Sequence, residues 1–259
     1  MTWIVGTVPP FGYSILASDI RVRWPDGTEK DCLQKIYSMG EDFMGGFAGS
    51  VLIGFTTLGM IAEQLPSKRR NSPSDLAQKW IPKLARRVFR SAPRGEQRLG
   101  CQIVVAAAHP TQTLGDVPWP RTYVWTFSCP EFRPCEAKFG EVLGIGCGSD
   151  VPIYTEALRN ACNPSFFFKS APAGSEILAS IVARAMHKAV TRTPTGGVSP
   201  FIQMGILTRG QTVVGNLNFR TFHADGRKTK IQVPAVVTSF EEFRKYCQHE
   251  ALNASGVVC

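Results

Sequence analysis

The sequence lacks the segments that direct a protein to a membrane or out of the cell. It has no run of apolar residues long enough to cross a bilayer, so we expect no association with a membrane. It also has no segment with a basic start, an apolar core and a small-residue cleavage site, which leads us to expect a cytoplasmic protein. Because neither an internal repeat nor a linker divides the chain, we predict a single domain over residues 1–259.

The cysteines and histidines are few and scattered. The sequence has eight cysteines without C-x-x-C spacing, so we predict that they are mostly reduced. The four histidines are isolated from them, and we therefore predict neither a metal site nor a cofactor. A serine hydrolase built on His187 would need a G-x-S-x-G motif, which the sequence does not contain.

The formal net charge of +9 raises the question of an acidic partner, because many of its basic residues lie between Lys68 and Arg98. In the same segment, Leu76, Trp80, Leu84 and Val88 follow a helical spacing. We therefore predict that the basic residues form the solvated or subunit-contacting face of an amphipathic helix. A nucleic-acid-binding domain remains an alternative that we do not favour, since charge without stacking aromatic residues is a weak indication.

The chain alternates between groups of strands and groups of helices. The patterns predict strands over residues 3–8, 13–19, 32–37, 42–47, 101–108, 121–127, 137–145, 201–208 and 212–219. They predict helices over 51–65, from Ser74 or Asp75 to Arg90, over 151–158 and 175–190, and from Ser239 through Tyr246. This order predicts an α+β fold of two stacked sheets with helix pairs outside them, with residues 220–259 as a C-terminal extension.

Thr2 stands directly before an apolar strand, although chain ends are normally loose. If Met1 is removed, Thr2 combines a hydroxyl nucleophile and an amine base in one residue. A free α-amino group has a pKa of about 7.7–8.0, so part of it is neutral near pH 7 and accepts a proton.

Three sequence segments together resemble the proteasome β-type N-terminal-nucleophile (Ntn) hydrolases, a family that includes the HslV-type bacterial peptidase. They are Thr2-Trp3-Ile4-Val5-Gly6, Ala17-Ser18-Asp19-Ile20-Arg21, and Gln34-Lys35-Ile36 followed by Gly45-Gly46-Phe47-Ala48-Gly49-Ser50. Within this family the chain resembles the betaproteobacterial proteasome homologue, an HslV-derived variant with a longer chain. The resemblance covers residues 2–219 and implies a four-layer αββα sandwich.

The resemblance also implies the roles of individual residues. It assigns the nucleophile and base to Thr2, the lysine to Lys35, its acidic partner to Asp19 and the oxyanion donor to the backbone of Gly46. It places Met44 near the gate of the main specificity pocket. Further candidates for the lining of that pocket are Val22, Arg23 and Leu33.

Two sites depart from the family pattern. Cys147 stands where many members have a serine that bonds the amine of the nucleophile, and a thiol is the weaker hydrogen-bonding group. Thr195 occupies the place of a second serine, whereas Arg192 stands where an aspartate is common.

The sequence thus predicts a threonine-type endopeptidase that hydrolyses peptide bonds of unfolded polypeptides or peptides. The resemblance implies that identical subunits form stacked rings with the active sites inside; it does not establish an ATP-dependent unfoldase as a partner. A catalytically inactive ring protein of the same fold is the main alternative.

Overall fold

The structure, a computed structural model, is a mixed α+β protein whose sheets are antiparallel. It describes residues 2–255 except 10, 25, 69–71, 164, 166–173, 217–218, 223–227 and 232. The strands in chain order are β1 Ile4–Thr7, β2 Ser14–Asp19, β3 Arg21–Arg23, β4 Glu29–Asp31, β5 Ile36–Ser38, β6 Phe43–Gly49, β7 Cys101–Leu114, β8 Val117–Ser128, β9 Arg133–Glu136, β10 Val142–Ile145, β11 Ile202–Thr208, β12 Gln211–Asn216, β13 Phe219–Phe222 and β14 Lys228–Ile231.

Six α-helices are described, together with four shorter helical turns. The helices are α1 Val51–Gln64, α2 Ile81–Ser91, α3 Arg94–Leu99, α4 Pro152–Ala161, α5 Ser175–Arg192 and α6 Phe240–Ser255. The shorter turns are Leu65–Lys68, Pro73–Asp75, Leu76–Trp80 and Cys147–Asp150. Within the described residues, no helix is both long enough and apolar enough to cross a bilayer.

Two five-stranded sheets carry the fold. The first has the order β10-β1-β2-β11-β12, and the second has the order β5-β6-β7-β8-β9. The predicted hairpin at the start of the chain is confirmed, because β1 pairs antiparallel with β2 and Ile4 lies opposite Ser18. This pairing brings Thr2, which precedes β1, to the same sheet end as Asp19.

Buried apolar residues form three clusters. One joins alternate residues of both sheets, including Leu16 and Val124. The second packs α1 and α2 against the second sheet through residues such as Leu58 and Trp125. The third packs α4 and α5 against the first sheet and includes Trp3, whose ring stacks on Tyr154 with centroids 4.7 Å apart. Trp3 thereby fixes the strand that follows Thr2.

The basic segment forms the predicted amphipathic helix. Leu76, Leu84 and Val88 are buried, and Lys83 and Arg87 are exposed. One detail differs from the sequence prediction. Ser72, not Ser74 or Asp75, caps the first turn, because its hydroxyl accepts a hydrogen bond from the Asp75 N–H at 3.1 Å. The basic residues 69 and 70 lie outside the described part of the chain.

The predicted strand over residues 137–145 is shorter in the structure. Only Val142–Ile145 forms a strand, which pairs with β1, while the Ala137 N–H bonds back to Val124. In the C-terminal extension, β13 and β14 pair antiparallel, and residues 223–227 between them lie outside the described part of the chain. The last helix extends beyond the predicted Tyr246 to Ser255.

Candidate active site

Asp19 lies at the end of β2 and is fully buried, so its carboxylate needs hydrogen-bond donors. One oxygen, Oδ1, accepts from the Trp3 N–H at 2.8 Å and from Lys35 Nζ at 3.0 Å. The other oxygen accepts from the backbone N–H groups of Arg21 at 3.0 Å and Ser199 at 3.3 Å. Four donors therefore hold the carboxylate, and one of its oxygens connects the backbone beside Thr2 to the Lys35 ammonium.

Lys35 is almost completely buried, with 2% of its surface exposed. Burial lowers the pKa of its ammonium group, while the neighbouring Asp19 carboxylate opposes that shift. Its backbone N–H donates to Gln203 Oε1 at 3.1 Å, and Nζ also donates to the Arg21 carbonyl. A lysine with these partners is held in one orientation.

Thr2 and Lys35 line the same cavity, which has a volume of about 720 Å³. The predicted site residues Val22, Arg23 and Cys147 also line this cavity. Leu33, the remaining pocket candidate that reaches it, is buried with 1% exposure. The structure thus brings together residues that are up to 145 positions apart in the sequence.

Gly46 lies outside this cavity lining, and the register of β6 explains why it cannot act as the oxyanion donor. In an antiparallel pair, hydrogen-bonded and non-hydrogen-bonded residue pairs alternate. The Ser50 N–H donates to the Gly100 carbonyl, so Ser50 and Gly100 form a hydrogen-bonded pair. Gly46 pairs with Val104 four positions earlier in the same uninterrupted register, so this pair is hydrogen-bonded as well. The Gly46 N–H is therefore occupied inside the sheet.

Gly49 has the opposite parity and lies on the cavity wall. Its pair with Cys101 is of the non-hydrogen-bonded kind, so its N–H points away from β7 and toward the side where β5 has already ended. Its φ is +93°, and an added Cβ would press on the Gly100 carbonyl, so the position favours glycine. Gly49 replaces Gly46 as the backbone donor that the geometry offers.

Met44 also lies away from the cavity. It is fully buried in the cluster between the two sheets, because side chains on a strand alternate between faces. Phe47 has the other parity, lines the cavity and packs against Tyr37 and Phe55. Strict alternation along Phe43–Gly49, applied to the sequence, would have separated Met44 and Gly46 from Phe47 and Gly49.

Cys147 lies beside Thr2 and contacts its carbonyl group. Its Sγ lies 3.5 Å from the Thr2 carbonyl oxygen and donates to it, and the Gly148 N–H approaches the same oxygen at 3.3 Å. Burial raises the pKa of the Cys147 thiol, and the hydrogen bond at Thr2 and the nearby Lys35 charge oppose the shift in part. Cys147 is thus a neutral thiol that helps to position the backbone of Thr2.

Thr195 and Arg192 are not part of the cavity lining. The Thr195 hydroxyl lies 2.9 Å from the Tyr154 hydroxyl, and Tyr154 in turn stacks on Trp3. Arg192 is exposed at the end of α5. Among the described contacts, Thr195 thus reaches the neighbour of Thr2 through the rings of Tyr154 and Trp3, whereas the backbone N–H of Ser199 bonds Asp19 directly.

Gly146 should be intolerant of any side chain. Its φ is +82°, and an added Cβ would overlap the carbonyl oxygen of Thr2. We expect Gly146→Ala to displace Thr2 and lower the melting temperature clearly more than Gly115→Ala, which also has a positive φ (+60°) but open space around it. Backbone strain alone costs roughly 1–2 kcal/mol, so thermal unfolding of both variants isolates the steric contribution; equal losses would contradict this geometry.

The cysteines should differ strongly in reactivity, because the thiolate is the reactive form. Burial raises the pKa of Cys32 to about 11 and that of Cys162 to about 12, whereas Cys135 is exposed. We expect iodoacetamide at pH 7 to modify Cys135 first and the buried thiols only after unfolding. Peptide mass spectrometry over a time course measures the order, and preferential labelling of Cys147 would show that it is an activated thiol.

Comparisons with known proteins add no assignment, since the sequence matches no protein-family model and no curated protein. Among the described residues, no group of three or more His, Cys, Asp or Glu side chains is arranged to hold a metal ion.

Proposed function

We propose that this protein is a threonine peptidase in which Thr2, after removal of Met1, is the nucleophile. The observation that carries the proposal is the shared contact at Asp19 Oδ1, which binds the Trp3 N–H and Lys35 Nζ within hydrogen-bond distance. An almost completely buried ion pair beside a cavity is costly to maintain, and groups perturbed in this way are concentrated at functional sites.

The reaction proceeds in two stages. The Thr2 hydroxyl oxygen attacks the carbonyl carbon of the peptide bond while the Thr2 amine takes the hydroxyl proton. The Gly49 N–H stabilises the resulting oxyanion, and the C–N bond breaks as the ammonium returns its proton to the leaving amine. Water then attacks the ester on Thr2 while the same amine takes its proton. The bond between the acyl carbon and Thr2 Oγ breaks as the ammonium returns the proton to that oxygen, and the carboxylic acid product is released.

The fold proposed for this chemistry is the four-layer αββα sandwich. It is supported by the three clusters, one between the sheets and one between each sheet and its helices. Stacked rings of identical subunits are proposed with it.

The proposal is tested by hydrolysis of unfolded casein and of short apolar peptides, with the mature amino terminus confirmed by intact mass. Purified protein lacking Met1 should cleave both substrates, and its mass in solution should be a multiple of the subunit mass. Folded, oligomeric protein without any cleavage would favour the inactive ring protein instead.

The rate should depend on pH through the Thr2 amine. The amine must be neutral to act as a base, so kcat/KM should rise with pH up to its pKa and then level off. A free amine has a pKa of about 7.7–8.0, and a nearby Lys35 ammonium favours the neutral form. We therefore expect a midpoint at or below about pH 8, measured with a fluorogenic peptide; a rate that falls over the same range would contradict an amine base.

A further inference from the structure

The segment from Val233 to Gln248, here called the C-terminal arm, returns to the part of the chain that carries Lys35. Val237 forms a parallel bridge with Leu33. Its N–H donates to the Cys32 carbonyl at 2.7 Å, and its carbonyl accepts from the Gln34 N–H at 3.0 Å. The arm thus pairs, through one short parallel bridge, with the backbone directly before the catalytic lysine.

The helix that follows is fixed where it begins. The Glu242 N–H donates to Ser239 Oγ at 3.2 Å, and the Glu242 carboxylate accepts from the Thr238 N–H at 2.8 Å. These bonds cap the first turn of α6 and set the direction of its side chains. A capped helix start presents Phe240 and Phe243 in a defined orientation.

Phe240 and Phe243 are directed at the cavity that contains Thr2. Both line it, and Phe243 stacks on Trp24, another lining residue, at a centroid distance of 6.2 Å. Phe240 contacts the ring of Phe55 in α1 at 6.0 Å and keeps 36% of its surface exposed. Aromatic rings that are held by neighbours and still partly uncovered offer apolar area to a bound ligand.

We propose that the C-terminal arm is the specificity wall of the active site, and that Phe243 and Phe240 bind an apolar side chain of the substrate next to the cleaved bond. This inference rests on the proposed peptidase function. The substrate class that fits is an unfolded peptide with an aromatic or large aliphatic residue at that position, because Val22, Trp24 and Leu33 complete an apolar lining.

The test compares Phe243→Ala and Phe240→Ala with the wild type on three peptides that carry Ala, Leu or Phe before the cleaved bond. Losing ring contacts should lower the kcat/KM ratio of the Phe peptide to the Ala peptide roughly tenfold or more. Phe139→Ala is the matched control, since Phe139 is 46% exposed and lies outside the cavity lining.

If the arm is merely structural, all three peptides lose rate in parallel and the Phe-to-Ala ratio of kcat/KM stays unchanged. An unchanged ratio, with or without a loss of rate, overturns the proposal. Should Phe243→Ala fail to fold, Phe243→Leu retains apolar bulk without the flat ring and should reduce the preference for Phe over Leu. A wild type that forms no adduct on Thr2 with a bidentate electrophile refutes the peptidase function itself, whereas an adduct without altered selectivity refutes only the role of the arm.

Discussion

Replacing Lys35 with methionine is expected to destabilise the folded protein by about 3–5 kcal/mol and to abolish peptide hydrolysis. Methionine fits the apolar path of the lysine stem, but it leaves the fully buried Asp19 carboxylate without its only cationic side-chain partner among the described contacts. An uncompensated buried charge is far more costly than the loss of the attraction itself. Chemical denaturation and a fluorogenic peptide assay measure both effects.

A second change separates stability from catalysis. In the double variant Asp19→Asn with Lys35→Met, the amide carries no charge and its oxygen can still accept from the Trp3 N–H, so part of the lost stability should return. The recovery should be incomplete, because the amide NH2 cannot accept from the Arg21 and Ser199 N–H groups as the carboxylate does. Activity should not return, because no ammonium remains near Thr2. Lys79→Met, which breaks an exposed ion pair of 2.8 Å, is the control and should change the melting temperature little. Full activity of Lys35→Met would remove Lys35 from the mechanism.

Thr2→Ala should eliminate hydrolysis, by more than about a thousandfold, and leave the fold intact. The change deletes only the hydroxyl and one methyl group, while the backbone contacts that fix this residue, the Gly148 N–H and the Cys147 thiol at its carbonyl, remain. Steady-state kinetics and thermal unfolding on the same preparation distinguish a lost nucleophile from a lost structure.

Two matched substitutions make the Thr2 result specific. Thr2→Ser keeps both the hydroxyl and the amine and should keep measurable activity. Thr113→Ala removes an exposed threonine in the β7–β8 hairpin and should be silent. If Thr2→Ala hydrolyses the peptide as fast as the wild type does, another residue or a contaminating protease performs the reaction.

The sequence predicted the parts of the site that depend on local pattern. The apolar strand after Thr2, the strand that ends at Asp19 and the helix that begins at Val51 all follow from neighbouring residues, and the structure contains each of them. The pairing of Asp19 with Lys35 followed from the family resemblance, and the structure brings these side chains to 3.0 Å.

Register and long-range contact explain the errors. The motif predicts roles for Gly46 and Met44, but the register of β6 gives them other places. The Gly46 N–H is hydrogen-bonded to β7, and the Met44 side chain lies between the two sheets. Gly49 and Phe47 line the cavity instead. The arm that adds Phe243 depends on a bridge between Leu33 and Val237, some two hundred residues apart, which no local periodicity predicts.

The most direct test of the mechanism is the intact mass and peptide map of the wild-type protein after treatment with an electrophile that must react with both a hydroxyl and an amine on one residue. We predict a protein without Met1 that gains one adduct, located on Thr2, and no adduct in Thr2→Ala. Retention of Met1 together with an unmodified Thr2 would contradict the account.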